Sequence, residues 1–310
     1  MNILVTGGNG YIGSVITRRL MEKGHNPFVL DKVQSSFPRS FHGDLADVKF
    51  LDDIFKSKKI DAVIHLAAYI EIGESMKDPL KYYHNNYCNT VNLLNAMLKY
   101  NVKNLIYASS AAVYGQPKSL PLSEASEKMP VNHYGQTKLM VEELLRNCVK
   151  YGLNSVALRF FNASGSAYSL GETHNPETHF IPILLKAVLN KNPIRINGND
   201  FSTQDGTCVR DYVHVLDIAD AHILALEKLK PGFNVYNIGF GKGHSLLEVI
   251  ETLKEISKRE ISVEFGPRRE GDPAELVASI DKIKSELGWS PKHDLKSILQ
   301  SALDDLISKS

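Results

Sequence analysis

Apolar and polar positions in the first two thirds of the chain switch repeatedly between two periods. Short, nearly continuous apolar runs alternate with longer stretches whose apolar residues recur every three to four positions. The runs predict strands at Asn2–Thr6, Asn26–Leu30, Ser40–Gly43, Ala62–His65, Asn104–Ala108 and Ser155–Phe160. The longer stretches predict helices at Tyr11–Lys23, Val48–Ser57, Leu80–Tyr100 and Tyr134–Tyr151. Past Asn162 the pattern changes. Residues 162–180 are polar and rich in turn formers, which predicts a loop. Helices follow at Ile181–Asn190, Val215–Leu229, Leu246–Ser257 and Ile280–Leu287, with a strand at Asn234–Asn237.

Buried apolar strands alternating with helices define an α/β fold with a doubly wound parallel sheet, since right-handed crossovers cover both sheet faces. The expected organisation is a nucleotide-binding domain over 1–165 and a smaller mixed α/β lobe over 166–310, with part of 210–240 returning to the main sheet. The 310 residues contain 43% apolar residues, enough for a core. Thirty-six lysines and arginines face 35 acids, so charge gives no reason to expect nucleic acid or an anionic membrane as partner. No apolar run approaches the ~18 residues of a membrane span, and the first apolar run has strand length. Cys88, Cys148 and Cys208 are scattered and odd in number. They fit free thiols in a reducing cytoplasm, and no metal site is expected.

The stretch GGNGYIG places glycines at 7, 8, 10 and 13 between the first strand and the first helix. Glycine there permits a tight turn, assigned to Gly8, lets the backbone at Gly10 approach a pyrophosphate, and lets the helix at Gly13 lie close to the sheet. An ordinary glycine-rich turn would look similar, so context matters. Asp31 closes the second strand, where a carboxylate accepts from a ribose diol and repels a 2′-phosphate; this favours NAD over NADP, with Lys32 as a neighbouring cation. Asp44 and Leu45 follow the next short strand, placed for an adenine amino group and ring.

YGQTK sets Tyr134 and Lys138 one helical turn apart on one face. An ammonium beside a phenol favours the phenolate, bringing a weak base toward working pH. Such a pair is common by chance. Ser110, at the end of a strand where ligand crevices open, supplies a hydroxyl for a substrate oxygen. Glycine turn, serine, then tyrosine and lysine occur in the order of the extended short-chain dehydrogenase/reductase family, which the sequence resembles. The resemblance implies a Rossmann-type domain, tightly held NAD and a Ser110–Tyr134–Lys138 centre. It places Gly7, Gly10, Tyr11, Ile12, Gly13, Asp31, Lys32, Asp44, Leu45, Leu66, Ala67, Ala68, Asn85, Ser109 and Phe161 against the cofactor, beside Tyr134 and Lys138.

Further stretches, among them SSAAVYG, RFFNASGS, PETHFIP, DGTCVRDYVHV and PRREGDPAELVAS, resemble the UDP-sugar 4-epimerases of that family over nearly the whole chain. This implies interconversion of UDP-glucose and UDP-galactose through a 4-keto sugar. Arg210 and Arg269 suit a diphosphate, because a guanidinium forks onto phosphate oxygens. By resemblance, Asn162, His179 and Phe180 line the sugar-nucleotide site, Asp272 takes ribose hydroxyls, and Ser110 and Tyr134 meet the sugar. Several positions depart from the family pattern. Ile70 stands where a lysine near the cofactor phosphates is usual, Phe160 replaces a common tyrosine, Asn197 replaces an aromatic, and the span from Asp31 to Asp44 is short. Leu276 falls where a bulky tyrosine can narrow the pocket, which leaves N-acetylated sugars open as substrates. Uronate and pentose epimerases also remain open, as does an inactive NAD-binding regulator. A 4,6-dehydratase commonly carries Asp-Glu after the serine position, where this chain has Ala111 and Ala112. The predicted helix over 134–151 holds more apolar residues than one stripe, which points to a homodimer.

Overall fold

The structure is a computed structural model describing residues 1–172, 177–269 and 271–309. Part of the predicted loop over 162–180, residues 173–176, lies outside the described residues, as do Pro176 and Glu270 of the resembling stretches. In chain order the elements begin β1 (Asn2–Thr6), α1 (Tyr11–Glu22), β2 (Asn26–Asp31), β3 (Ser40–His42), α2 (Val48–Ser57), β4 (Ala62–His65), α3 (Ile72–Lys77) and α4 (Pro79–Tyr82). A π-helical turn (Tyr83–Cys88) leads into α5 (Asn89–Lys99), β5 (Asn104–Ser110), a 3₁₀ turn (Ala111–Tyr114), α6 (His133–Cys148), a second 3₁₀ turn (Val149–Tyr151) and β6 (Asn154–Phe160). The remainder comprises β7 (Asn162–Ser164), α7 (Phe180–Asn190), β8 (Ile194–Asn197), β9 (Val209–His214), α8 (Val215–Glu227), β10 (Phe233–Ile238), β11 (Gly243–Ser245), α9 (Leu246–Ser257), β12 (Val263–Gly266), β13 (Glu275–Leu276), α10 (Asp281–Leu287) and α11 (Leu295–Lys309).

By internal contact the chain divides into two compact units. The first is Met1–Gly115, Lys128–Arg159 and Ala219–Tyr236; the second is Gln116–Glu127, Phe160–Ile218 and Asn237–Ser310. The main sheet runs β10-β6-β5-β4-β1-β2-β3. Its β1–β2, β1–β4, β2–β3 and β4–β5 pairs are parallel. The chain winds outward from β1 in one direction, then restarts at β4 and winds the other way. A doubly wound sheet of this order opens a crevice beyond the carboxyl ends of β1 and β4. Ile3, Leu4 and Val5 of β1 and Ala62, Val63 and Ile64 of β4 are fully buried, as strands covered on both faces require.

Three differences from the sequence-based expectations have identifiable physical causes. The predicted single helix over Leu80–Tyr100 is interrupted by the π-helical turn, whose extra residue per turn lets Asn85 and Asn86 both reach across to neighbouring loops. Residues 162–164 form β7 rather than loop, because they pair in parallel with β9 through Asn162–Tyr212, Ala163–Val213 and Ser164–His214. Helix α11 has no counterpart among the predicted elements. It is amphipathic and buries Leu295, Ile298, Leu299 and Leu303 in the core of the second unit, with α7 and α9.

The second unit contains a buried histidine whose hydrogen bonds fix its charge. His214 accepts from the Leu216 backbone N–H at Nδ1 (3.0 Å), and its Nε2 lies 3.0 Å from Ser301 Oγ. Ser301 spends its own hydrogen on the Ile298 carbonyl, so Nε2 must be the donor. Both ring nitrogens are satisfied only in the neutral form; a second proton would point at the Leu216 N–H. Burial, helped by the charge of His293, whose ring lies tilted 4.4 Å away, and opposed by Asp217, pushes His214 down to about 4. The unfolded chain therefore binds this proton first as pH falls. His214's contribution is complete above pH 6.5 and is lost between 6.5 and about 4, amounting to about 3 kcal/mol. In urea denaturation across that window, wild type should lose about 3 kcal/mol more than His214→Asn, which cannot titrate; equal slopes would refute the assignment.

Candidate active site

The glycine turn follows β1 at the carboxyl edge of the sheet. Gly7, not Gly8, takes the left-handed conformation (φ 71°), because the chain there turns against the loop after β4: an added Cβ would lie 2.7 Å from the Ala67 backbone nitrogen. Gly8 packs on Val29, where a Cβ would meet side-chain carbons at 3.0 Å. At Gly13 a Cβ would overlap the Gly7 carbonyl oxygen, which explains how closely α1 approaches the turn. Gly10 differs from these. It is exposed, and its added Cβ would meet only Gly7 O, at 3.4 Å. It is also the N-cap of α1, and neither a capping side chain nor an acidic residue occupies the first turn. An uncapped helix start behind an open glycine attracts anionic oxygens through its backbone N–H groups and partial positive charge.

Asp31 caps this edge. Its carboxylate accepts from the backbone N–H of Asn9 (2.9 Å) and of Val33 (3.0 Å). Lys32 turns from it to pair with Asp44 (3.1 Å) and donate to Asn85 Oδ1 (2.9 Å), so three predicted cofactor residues meet in one cluster. Leu45 is buried close by in sequence, and Asn92 donates to its carbonyl (3.2 Å). Leu66 continues β4, its N–H on the Thr6 carbonyl, and Ala67 abuts Gly7. Ala68 precedes Tyr69, whose backbone is clamped from both sides by Asn86. These residues fit a dinucleotide: an open glycine cradle, uncapped helix donors and an acid at the end of β2.

Beneath them runs a buried polar chain absent from the sequence expectations. Thr90 donates to the Asn86 carbonyl (2.6 Å) and so accepts from His65 Nε2 (2.8 Å); His65 Nδ1 then accepts from Thr6 (2.6 Å). Burial, with the Lys138 charge adding to it, pushes His65 down to about 3. The histidine is a neutral strut that locks β1, β4 and α5 together.

The candidate reacting groups come from β5 and α6. Ser110 ends β5, and its hydroxyl accepts from the Ala112 N–H (3.1 Å), starting the 3₁₀ turn. Asn132 caps α6 through the Gly135 N–H (2.8 Å). Gly135 is needed because a Cβ would stand 2.5 Å from the Ala112 carbonyl oxygen. That contact brings Tyr134 to Ser110, and their side chains share a hydrogen bond. Lys138 is buried, donates to the Ala108 carbonyl (2.7 Å), and lies 5.7 Å from the Tyr134 ring centre. Ser110, Tyr134 and Lys138 thus converge. The electrostatics differ from the expectation. Burial pushes the Tyr134 phenol up, and the Ser110 hydrogen bond is what pulls it down. Lys138 is itself pushed down to about 7 by burial, with Glu142 opposing. A lysine poised that low holds its charge only partly at neutral pH, so it cannot be taken as a permanent neighbouring cation. Ser109's hydroxyl is committed to Glu142 (2.6 Å), which leaves only its backbone to face a cofactor.

In the second unit, β9 organises the remaining predicted residues. Asp211 accepts from the backbone N–H groups of Phe240 (2.6 Å), Gly241 (3.0 Å) and Ala278 (3.1 Å), although burial still raises it to about 6. Arg210 beside it donates to the carbonyls of Val209 and Pro273 (both 2.9 Å) and lies 3.7 Å from Asp272. Leu276 is the register partner of Arg210 on β13, and Asn162 opposes Tyr212 on β7. Arg269 is exposed and joined to Asp272 by a turn, the Asp272 N–H donating to the Arg269 carbonyl. His179 is the N-cap residue of α7 before Phe180, its Nδ1 2.8 Å from Glu177. Phe161 is buried, its N–H on the Ile238 carbonyl. The departures Ile70, Phe160 and Asn197 touch none of Ser110, Tyr134 or Lys138 through a described polar contact. Among the described residues, no three His, Cys, Asp or Glu side chains are grouped to hold a metal ion.

A glycine cradle at a sheet switch point, joined to a serine–tyrosine–lysine centre, defines a nucleotide-dependent short-chain enzyme of the Rossmann class. The family model of the NAD dependent epimerase/dehydratase family matches residues 3–239, and the chain belongs to that family. It is similar to the UDP-glucose 4-epimerase of Halalkalibacterium halodurans, with 44% identity over 97% of this chain and 94% of the relative. Among solved structures it is similar to the Stenotrophomonas maltophila UDP-glucose-4-epimerase with bound NAD and formylated UDP-arabinopyranose, at 34% identity and TM-score 0.96 over 100% of this chain and 98% of that one. It is also similar to the UDP-Glc/GlcNAc 4-epimerase of Campylobacter jejuni, at 39% identity and TM-score 0.86, covering 99% of both chains.

The glycines separate fold from binding. Gly10→Ala should melt within a few degrees of wild type while retaining much less NAD, since its methyl fills only the anion space. Gly7→Ala should lose about 1–3 kcal/mol, from positive φ and the Ala67 contact. Melting curves with NAD content after gel filtration check both; a Gly10→Ala protein with full NAD content would contradict the cradle.

Proposed function

We propose that the protein interconverts UDP-glucose and UDP-galactose by NAD-dependent epimerisation at C4, through a 4-keto sugar. The observation that carries this reading is the convergence of Ser110, Tyr134 and Lys138 beside a dinucleotide cradle, in a chain that matches UDP-glucose 4-epimerases along almost its whole length. The Rossmann-type unit holds the cofactor, and the smaller lobe holds the UDP-sugar. Gly7, Gly10, Tyr11, Ile12 and Gly13 take the pyrophosphate on the start of α1. Asp31 takes the adenosine ribose, and Lys32, Asp44 and Asn85 border the adenine. Bound NAD supplies reversible hydride exchange with sugar C4. Tyr134 removes the proton from the 4-hydroxyl and returns it to the product oxygen, and Ser110 orients that oxygen by hydrogen bonding. Lys138 holds the nicotinamide ribose. In the second unit Arg210 and Arg269 bind diphosphate oxygens, Asp272 the uridine ribose, and Asn162, His179 and Phe180 border the nucleotide–sugar. A dehydratase needs an acid–base pair after Ser110, and Ala111 and Ala112 provide none.

Among the described residues no helix is long and apolar enough to cross a membrane. With free Cys88, Cys148 and Cys208, this supports a cytoplasmic setting. α6 supports a homodimer. Val141, Leu145 and Cys148, with Leu144 against the same core, pack inward, leaving Leu139 and Met140 half-buried and Val149 exposed. Light scattering should give twice the chain mass, and Leu139→Glu together with Met140→Glu should reduce it to one; a monomeric wild type would exclude the pairing.

Incubation with UDP-galactose should yield UDP-glucose. Tyr134→Phe should lower turnover about 10²–10⁴-fold while UDP binding persists. Undiminished turnover would remove Tyr134 from the chemistry. The same assay with UDP-N-acetylglucosamine tests the space left by Leu276, where conversion means that the pocket admits the acetamido group.

A further inference from the structure

The mechanism leaves one buried charged cluster without a role. Glu142 lies one turn beyond Lys138 on α6, on the same face. Every hydrogen bond it makes reaches an element that carries or borders a reacting group. Glu142 Oε1 accepts from Ser109 Oγ (2.6 Å), the residue before Ser110, and from Arg159 Nε (2.9 Å) on β6. Oε2 accepts from the second arm of the same guanidinium (2.6 Å). The third arm donates to the Tyr114 hydroxyl (2.8 Å), in the 3₁₀ turn that Ser110 starts. Ser109, Tyr114, Glu142 and Arg159 are all at most 3% exposed. Arg159 places a permanent cation in this interior, and Glu142 is the acid bonded to it.

We infer that Glu142 is a positioning residue of the reaction: its carboxylate, forked onto Arg159 and tied to Ser109, fixes α6 against the strand end bearing Ser110 and sets a negative charge one helical turn behind Lys138. This rests on the assignment of Tyr134 and Lys138 above. Other groups facing Lys138 do not replace it. Tyr107 of β5, with its ring centre 5.0 Å from Nζ, and Tyr134 on α6 are neutral phenols, and His65 of β4 is neutral. Arg159 of β6 is a further cation and disfavours charge on the lysine. Burial already pulls Lys138 down to about 7, and Glu142 is the group that opposes it. Without that carboxylate the lysine gives up its proton at lower pH. The phenol then loses its cationic neighbour.

The test compares pH profiles of kcat/KM for wild type, Glu142→Gln and Glu142→Asp. In Glu142→Gln the alkaline limb should move down by about one pH unit, an approximately tenfold loss of rate on that limb, with KM for UDP-galactose little changed. Glu142→Asp, which keeps the charge, should restore the limb. An NMR titration of the Lys138 side-chain nitrogen should move with it. If Glu142→Gln fails to fold, Glu142→Gln/Arg159→Gln removes the orphaned cation and should still move the limb down, by less than about one pH unit, because the loss of Arg159 relieves the lysine. A limb that stays in place while only the melting temperature falls would make Glu142 purely structural and overturn the inference. Full activity in Tyr134→Phe would instead overturn the underlying assignment.

Discussion

The structure of the site depends on one close approach, that of the start of α6 to the turn after β5. No side chain fits between Gly135 and the Ala112 carbonyl, so the helix can sit only where its first turn meets the end of the strand. Tyr134 then meets Ser110, and Lys138 reaches the Ala108 carbonyl one turn later. Two supports hold the approach. Asn132 caps the helix, and the Glu142–Arg159 pair ties its middle to β5 and β6. Both partners of that pair are about 97% shielded, and removing one member of such a pair costs about 3–5 kcal/mol. The pair has therefore to be complete for α6 to remain where Gly135 allows it.

The cofactor edge follows the same logic in reverse. There the structure keeps side chains away instead of bringing them in. Gly7 and Gly13 remove Cβ atoms so that the turn, the loop after β4 and α1 nest together, and Gly10 leaves the remaining space open. The rigidity comes from below, through the neutral Thr6–His65–Thr90 chain. Burial keeps this histidine neutral, so its ring passes one donated and one accepted hydrogen bond along the chain.

Much of this was legible in the sequence because strand and helix periods are local. β1, β4, α2 and α9 fall on their predicted residues, and the order of glycine turn, Ser110, Tyr134 and Lys138 survives folding unchanged. Less legible were features whose cause is distant in sequence. β7 exists only because β9 lies beside it, and the π-helical turn bends where Asn85 and Asn86 find partners in the Lys32 and Tyr69 loops. α11 is a different case. Leu295, Ile298, Leu299 and Leu303 have helical spacing, so the signal for this helix is local and lies in the sequence itself. Glu142 likewise stood at i+4 from Lys138. Its partner Arg159 is seventeen residues away, and only the packing of α6 on the sheet turns that spacing into an ion pair.

The tyrosine illustrates why spacing and chemistry are separate questions. From sequence, a lysine at i+4 lowers a phenol's pKa by proximity. In the fold the lysine is so well buried that its own charge is in question, and burial raises the phenol too. Burial disfavours the charged form of both groups, so neither activates the other alone. What separates them is the set of fixed partners each one has: the Ser110 hydroxyl for the phenolate, and the Ala108 carbonyl and Glu142 for the ammonium. The charge state of each group is then set by partners that the other does not share. In this chain an acid stands one helical turn behind the sealed lysine, with both of its oxygens tied by hydrogen bonds to Ser109 and Arg159.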